Sequence, residues 1–220
     1  TGVSLAHGKG MPSRPSGKAV EKEQKVLRIR HTGAPTTFDW TYAQTPEEGE
    51  VLINIMEGLV ELDDSMQPQP ALAEKWAIST DGKTYTFTIK SGVQWSDGKP
   101  LLAKHFLLSW QRLSDPRKKG AYSSYLADVA NLSAPNDRTF IVTLKRKVPY
   151  FLELLNFWVT FPMRDDMVAS NVCQTPTQIP SLGPYSIAQA DKNHVISLIY
   201  NPRYRGAAPS VKHVQLVIEP

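Results

Sequence analysis

The 220-residue sequence contains a single cysteine, Cys173. One thiol excludes an internal disulfide and any metal site built from cysteines alone. Cys173 lies between Val172 and Gln174, with no activating neighbour, and reads as a plain half-buried thiol. No run approaches the roughly 18 consecutive apolar residues of a membrane-spanning helix. Catalytic signatures are missing as well: there is no Gly-x-Ser-x-Gly elbow, no His-Glu-x-x-His pair and no P-loop. Gly8-Lys9-Gly10 begins like a dinucleotide fingerprint but opens no strand–helix unit. The five histidines, His7, His31, His105, His194 and His213, stand singly. Each reads as a surface or packing residue rather than a ligand. Asp63-Asp64 and Asp165-Asp166 lack the spaced oxygen ligands of a calcium loop and read as solvated turns.

Charge of one sign is scarce over most of the chain. Lysine and arginine total 25 against 21 acidic residues, and residues 1–30 hold seven of the basic side chains but only two of the acidic ones. The remainder is close to neutral, which argues against a nucleic-acid groove spread over the fold. Arg117-Lys118-Lys119 and Lys145-Arg146-Lys147 are short basic runs that read as solvated faces. Residues 1–24 carry few apolar side chains, cannot offset the entropy of ordering, and read as a flexible basic leader. They have no apolar h-region, so an export signal is expected to have been removed already. A tether or a membrane-surface contact is the most that this charge implies.

What is present is the material of a soluble core. Apolar residues make up 41% of the chain, and 17 prolines predict short helices. Val26–Arg30 alternates and predicts a strand with Leu27 and Ile29 on one face. Leu52, Ile55, Met56 and Leu59 recur at helical spacing after an acidic first turn, with Gly58 as the expected end. Ala71–Trp76 predicts one or two helical turns. Asp81-Gly82 and Asp97-Gly98 are hairpin-type turns flanking a strand in which Tyr85, Phe87 and Ile89 alternate with threonines. A helix is predicted from Ala103 to Leu113, and strands at Thr139–Leu144, Val195–Tyr200 and Val211–Ile218. Pro149 suits the first turn of a helix running through Leu155. Four prolines between Pro162 and Pro184 predict an irregular stretch. The order is mixed, without the regular alternation of a doubly wound sheet, and the fold class is α+β.

Trp76, Trp95 and Trp110 sit in or beside regular elements and read as core. Tyr122 and Tyr125 lie among serines after a basic loop. Tyrosine offers a flat face and a hydroxyl at low entropic cost, which suits a ligand surface. A helix packing both tyrosines inward is the alternative, and composition does not choose between them.

Several strings, taken in order, resemble the family-5 extracytoplasmic solute-binding proteins of oligopeptide and dipeptide ABC importers. They are Met56-Glu57-Gly58-Leu59-Val60, Pro70–Trp76, Tyr85–Lys90 and Trp95-Ser96-Asp97-Gly98-Lys99-Pro100-Leu101. Ser109–Leu113 with Asp115-Pro116, Val148–Phe151, Gly183-Pro184-Tyr185 and Asn201-Pro202-Arg203-Tyr204 complete the series. The Trp-Ser-Asp-Gly-x-Pro string is fairly specific, and the whole series is strong. The likeness spans about Val26 to Glu219 and is closest to the oligopeptide-binding branch.

The resemblance implies the first lobe of a type II (cluster C) periplasmic-binding-protein fold: a mixed sheet, short helices and a smaller β-rich subdomain. Residues 25–56 and 166–220 would form the lobe core and 57–165 an inserted subdomain. The second lobe and the C-terminal return segment would be absent. It implies a non-catalytic protein without cofactor or metal, periplasmic or extracytoplasmic. An extended peptide would be its ligand, an ABC permease its partner. By resemblance, the backbone of Ala43-Gln44-Thr45-Pro46 would pair with the peptide. Tyr122 and Tyr125 would offer rings and hydroxyls, and Asn156 and Phe157 a pocket wall. Where the oligopeptide branch carries charged side chains, this sequence has Gln44 and Phe157. The alternative is a lone lobe serving as an interaction or dimerisation module, joined to a copy of itself or a complementary lobe through the cleft face.

Overall fold

A computed structural model of the chain describes residues 25–117, 122–191 and 194–218. The leader expected over 1–24 and the centre of the basic loop lie outside the described residues. The strands are β1 (Val26–His31), β2 (Val60–Leu62), β3 (Pro68–Pro70), β4 (Ala73–Ile78) and β5 (Thr84–Ile89), then β6 (Val129–Asn136), β7 (Thr139–Leu144), β8 (Tyr185–Asp191), β9 (Val195–Tyr200) and β10 (His213–Ile218). The α-helices are α1 (Pro46–Ile55), α2 (Ala103–Leu113), α3 (Phe151–Leu154) and α4 (Asp165–Ala169).

One sheet runs β1-β10-β9-β8, with β1 parallel to β10 and the other pairs antiparallel. It is therefore mixed. A second, fully antiparallel sheet runs β4-β5-β7-β6, and β2 and β3 form a two-stranded ribbon. The alternation of β5 buries Tyr85, Phe87 and Ile89, and that of β7 buries Phe140, Val142 and Leu144. Phe87 pairs with Phe140 across the sheet, and α2 lays Phe106 and Trp110 on the same ring. Each such buried side chain contributes roughly 1.5–3 kcal/mol. His105, one turn into α2, accepts the Leu102 amide at Nδ1 (3.1 Å), which requires that nitrogen to be unprotonated. Burial, reinforced by Lys104 and Arg164, pushes its pKa down to about 4, which keeps the ring neutral.

Leu27 and Ile29 share a face of β1 beside Val214 and Leu216, yet remain 45% and 36% exposed at the sheet edge. Three expectations need correction. Ala73–Ile78 is a strand, not helical turns, because it pairs along β5. Helix α1 ends at Ile55 with Met56 as cap, so Gly58 lies beyond it. Pro149 precedes the cap Tyr150 of a helix only four residues long. The proline-rich stretch contains α4 and two 3-10 turns, and Trp76 is only partly buried against the core.

The two ends of the first sheet's helix contact are fixed by Gly183. Its amide donates to the Ile55 carbonyl (2.9 Å), and a Cβ there would lie 2.8 Å from the backbone of Asn54, Ile55 and Met56. Backbone cannot yield as a side chain can. Gly183→Ala is expected to cost about 1–3 kcal/mol, seen as a lower urea midpoint at unchanged slope.

Candidate ligand-binding site

The site begins at the N-terminus of α1. Thr45 caps the helix, its hydroxyl accepting the Glu48 amide at 3.3 Å while the Glu48 carboxylate accepts the Thr45 amide at 3.1 Å. This Thr-x-x-Glu spacing is a capping box. Glu48 does more. One carboxylate oxygen accepts the amides of Thr36 and Thr37 (both 3.1 Å) and the Thr36 hydroxyl (2.5 Å). The other accepts the Gln44 amide at 2.6 Å as well as that of Thr45. Burial alone would push the Glu48 pKa up. The Thr36 hydroxyl and the amides of Gln44, Thr45 and Thr37 outweigh it and hold the carboxyl below its ordinary value.

The preceding loop is clamped a second time. Asp39 receives a two-pronged pair from Arg112 of α2 (2.9 and 2.6 Å), and Thr41 hydrogen-bonds both partners. The Arg112 guanidinium also lies 4.9 Å from the centre of the Tyr42 ring. Trp40 donates its indole N–H to the Phe161 carbonyl (3.0 Å).

Against this loop stands an aromatic cluster. Phe157 and Trp158 stack obliquely at 4.0 Å; Tyr122 meets Phe157 edge-on at 5.0 Å, and Tyr125 lies 5.1 Å from it. The Tyr122 hydroxyl points to the Gln44 carbonyl and the Trp158 indole N–H to the Ala43 carbonyl, both at 3.4 Å. Gly49 makes room for Trp158: a Cβ there would lie 2.5 Å from the ring.

Of the residues named from the sequence, Ala43, Gln44, Thr45, Tyr122, Tyr125 and Phe157 come together here, with Pro46 exposed at the start of α1. Asn156 does not join them; it lines a separate cavity with Glu57 and Tyr204. The two tyrosines are placed differently. Tyr125 turns inward, its hydroxyl bonded to the Leu154 carbonyl (3.0 Å), and burial pushes its pKa up to about 12. Tyr122 sits at the rim. The backbone expectation is narrowed. The amides of Ala43, Gln44 and Thr45 are all taken internally, by Asp39 and Glu48. At exposed Gln44 the segment offers a carbonyl acceptor rather than a donor. Among the described residues that carbonyl is held by the long contact from Tyr122, which a better-placed donor outcompetes, whereas Ala43 is fully buried behind Trp158. Trp158, Glu48, Asp39 and Arg112 were not singled out from the sequence. The sequence reading placed Glu48 only in the acidic first turn of α1; its Thr-x-x-Glu spacing from Thr45 is the signal that could have found it.

Other candidates resolve as structural. Cys173 is half-buried, and its pKa is pushed up to about 12 by burial and then by Asp39. Asp63 accepts the amides of Ser65 and Gln67 within a turn, and Asp166 is paired with Arg164 and Lys99. Among the described residues no three His, Cys, Asp or Glu side chains gather as a metal site.

This neutral, aromatic-backed platform sits on an architecture with known counterparts. Residues 67–220 match the family model described as bacterial extracellular solute-binding proteins, family 5, middle region. The chain belongs to that family. It is 34% identical over 207 residues to the probable deoxycholate-binding periplasmic protein YgiS of Escherichia coli, covering 86% of this chain and 39% of that protein. It is 32% identical over 217 residues to the periplasmic oligopeptide-binding protein OppA of Salmonella typhimurium, covering 90% and 39%. Among solved structures, Haemophilus influenzae OppA in complex with the peptide RPPGFSPFR superposes with a TM-score of 0.83 at 27% identity, covering 90% of this chain and 42% of that one. The fold is thus that of type II periplasmic binding proteins. The chain spans about two fifths of the length of these curated relatives.

Glu48→Gln replaces an acceptor oxygen by an amide that faces backbone donors. It is expected to cost about 3 kcal/mol or more in chemical denaturation. Because the folded Glu48 pKa is depressed, its contribution is present above the ordinary glutamate value and is lost as pH falls through the folded one. The variant should therefore lose less stability than the parent on acidification from near pH 5 to near pH 3.

Proposed function

We propose that the chain is the non-catalytic peptide-contacting lobe of an extracytoplasmic solute-binding component of an ABC-type oligopeptide importer. The observation that carries this reading is the platform itself. The carbonyl of the exposed residue Gln44, held among the described residues by one long contact from the Tyr122 hydroxyl, lies beside the half-buried rings of Tyr122, Phe157 and Trp158. An extended peptide supplies N–H donors, one of which that acceptor can take, while flat rings accept varied side chains. The Glu48 carboxylate beneath the platform is turned inward and fully engaged, so it is not offered to a ligand. Gln44 and Phe157 themselves present uncharged side chains, which suits uncharged portions of a peptide. The family supports the extracytoplasmic location, and relatives named for oligopeptides support the ligand class. In this reading the permease of the importer is the protein partner.

Calorimetry of the 220-residue chain against mixed tri- to pentapeptides tests it. Saturable heat is expected, with Tyr122→Ala weakening binding about tenfold, the equivalent of roughly 1.4 kcal/mol. No heat, an unchanged Tyr122→Ala isotherm, or saturation by deoxycholate in place of any peptide would overturn the proposal.

A further inference from the structure

The opposite end of α1 holds a feature that peptide recognition does not use. Ten residues of helix separate the two ends by about 15 Å. Beyond the cap Met56, a cavity of about 310 Å³ opens where the β2–β3 ribbon meets the loop after β9. That volume corresponds to about ten waters of liquid. Glu57, Glu61, Phe161 and Tyr204 are among its lining residues. Glu57 is half-buried, and among the described residues its carboxylate has neither a hydrogen-bond nor an ion-pair partner. Lys90, the cation that acts on it, makes its own contact with the Pro70 carbonyl (3.5 Å). A half-buried carboxylate without a partner is costly and invites a counter-charge.

The walls define what that counter-charge is. Tyr204 is fixed by its amide bond to the Asn201 carbonyl (3.0 Å) and by Gly206, where a Cβ would lie 2.4 Å from the ring. Phe161 is buried against Gly58, whose own Cβ would come within 3.2 Å of its ring. Aromatic faces attract weakly hydrated organic cations. Among the described residues no three His, Cys, Asp or Glu side chains gather there to hold a metal, and the aromatic lining suits an organic cation better. We propose that this cavity is a second binding site, taking a small organic monocation of the alkylguanidinium or alkylammonium class, with Glu57 as the counter-ion and Tyr204 as the aromatic wall.

The titration of the site agrees. Burial pushes the Glu57 pKa up to about 7; Lys90 opposes the rise and Glu61 adds to it. Tyr204 is raised by burial and then by Glu57 and Glu61, which places the three groups within one field. A cation selects the ionised carboxylate, so binding releases a proton, and affinity grows as pH rises through neutrality. This inference is independent of the peptide reading, since the two sites share no residue.

The 220-residue chain is titrated with n-butylguanidinium and, separately, with the neutral n-butyramide, by calorimetry and by amide chemical shifts. Saturable binding of the cation is expected, centred on the Gly58 and Tyr204 amides, about tenfold weaker near pH 6 than near pH 8. Glu57→Gln is expected to abolish it and Tyr122→Ala to leave it unchanged. Equal binding of butyramide, pH-independent affinity, wild-type affinity in Glu57→Gln, or shifts confined to the Gln44–Tyr122 cluster would each overturn the proposal. The shift map is read on the parent chain, so the result does not depend on the variant folding.

Discussion

The carboxylate of Glu48 is the contact on which the site depends. It is almost wholly removed from water, and a charge so placed persists only where its oxygens are saturated with donors. Five donors meet that need, and they come from both halves of the loop between β1 and α1. Satisfying one buried charge therefore draws Thr36–Thr37 and Gln44–Thr45 onto the first turn of α1, where the helix dipole favours the same negative charge. The backbone that faces the aromatic cluster is held from behind by this single side chain. Its amides are consumed in the process, which is why the exposed edge of the segment, at Gln44, offers a carbonyl oxygen.

A second clamp makes the arrangement rigid. Arg112 ties the loop to α2 through Asp39, while Ser109 and Trp110 of the same helix donate to the carbonyls of Phe161 and Thr160. Those carbonyls close the 3-10 turn that begins at Trp158. The loop, the helix and the aromatic turn thus form a closed circuit of polar contacts, each spanning tens of residues. Taking one link away, such as Arg112, would leave the Asp39 carboxylate buried without its charge partner, a far larger loss than the pair's net worth. Such cross-linking lowers the ordering cost that a ligand would otherwise meet on binding.

Period-2 and period-3.6 patterns were legible wherever a face is buried. β5, β7, β9 and α2 follow their apolar spacing closely, because core contact enforces it. Ala73–Ile78 was not legible: Ala, Glu and Lys favour helix locally, and pairing with β5 overrides them. β6 escaped for a related reason. It is an edge strand with no fully buried side chain, and tolerates Pro135 because one side of its backbone has no partner strand among the described residues. Tyr122 and Tyr125 stand out by their place among serines, Phe157 came from family resemblance, and Trp158 from neither. Their mutual geometry depends on long-range hydrogen bonds, which no local window encodes. The acidic first turn marked the helix start, but neither it nor the Thr45–Glu48 capping spacing seen in the structure discloses the three further donors from the Thr36–Thr37 segment.

Apart from Ser109–Leu113, which clamps the loop and the aromatic turn, the family motifs around Trp95, Gly183 and Asn201 lie away from the cluster and serve the scaffold. Trp95 is fully buried beneath the Arg164 guanidinium, 5.2 Å from its ring. Asp97 pairs with Arg164 (2.9 Å), and Gly98 adopts φ +88°, a conformation costly for any side chain. Gly183 is required by the close backbone of α1, and Asn201 returns a bond to its carbonyl (3.0 Å). None of these contacts reaches Gln44, Tyr122 or Phe157. A chain can keep every motif and still change the chemistry it presents at the platform, by exchanging a few side chains on a loop already pinned by Glu48 and Asp39. That separation accounts for relatives of nearly equal identity to this chain carrying names as different as deoxycholate-binding and oligopeptide-binding. On the proposed reading, ligand choice would lie in residues such as Gln44 and Phe157 rather than in the strings by which the family is recognised.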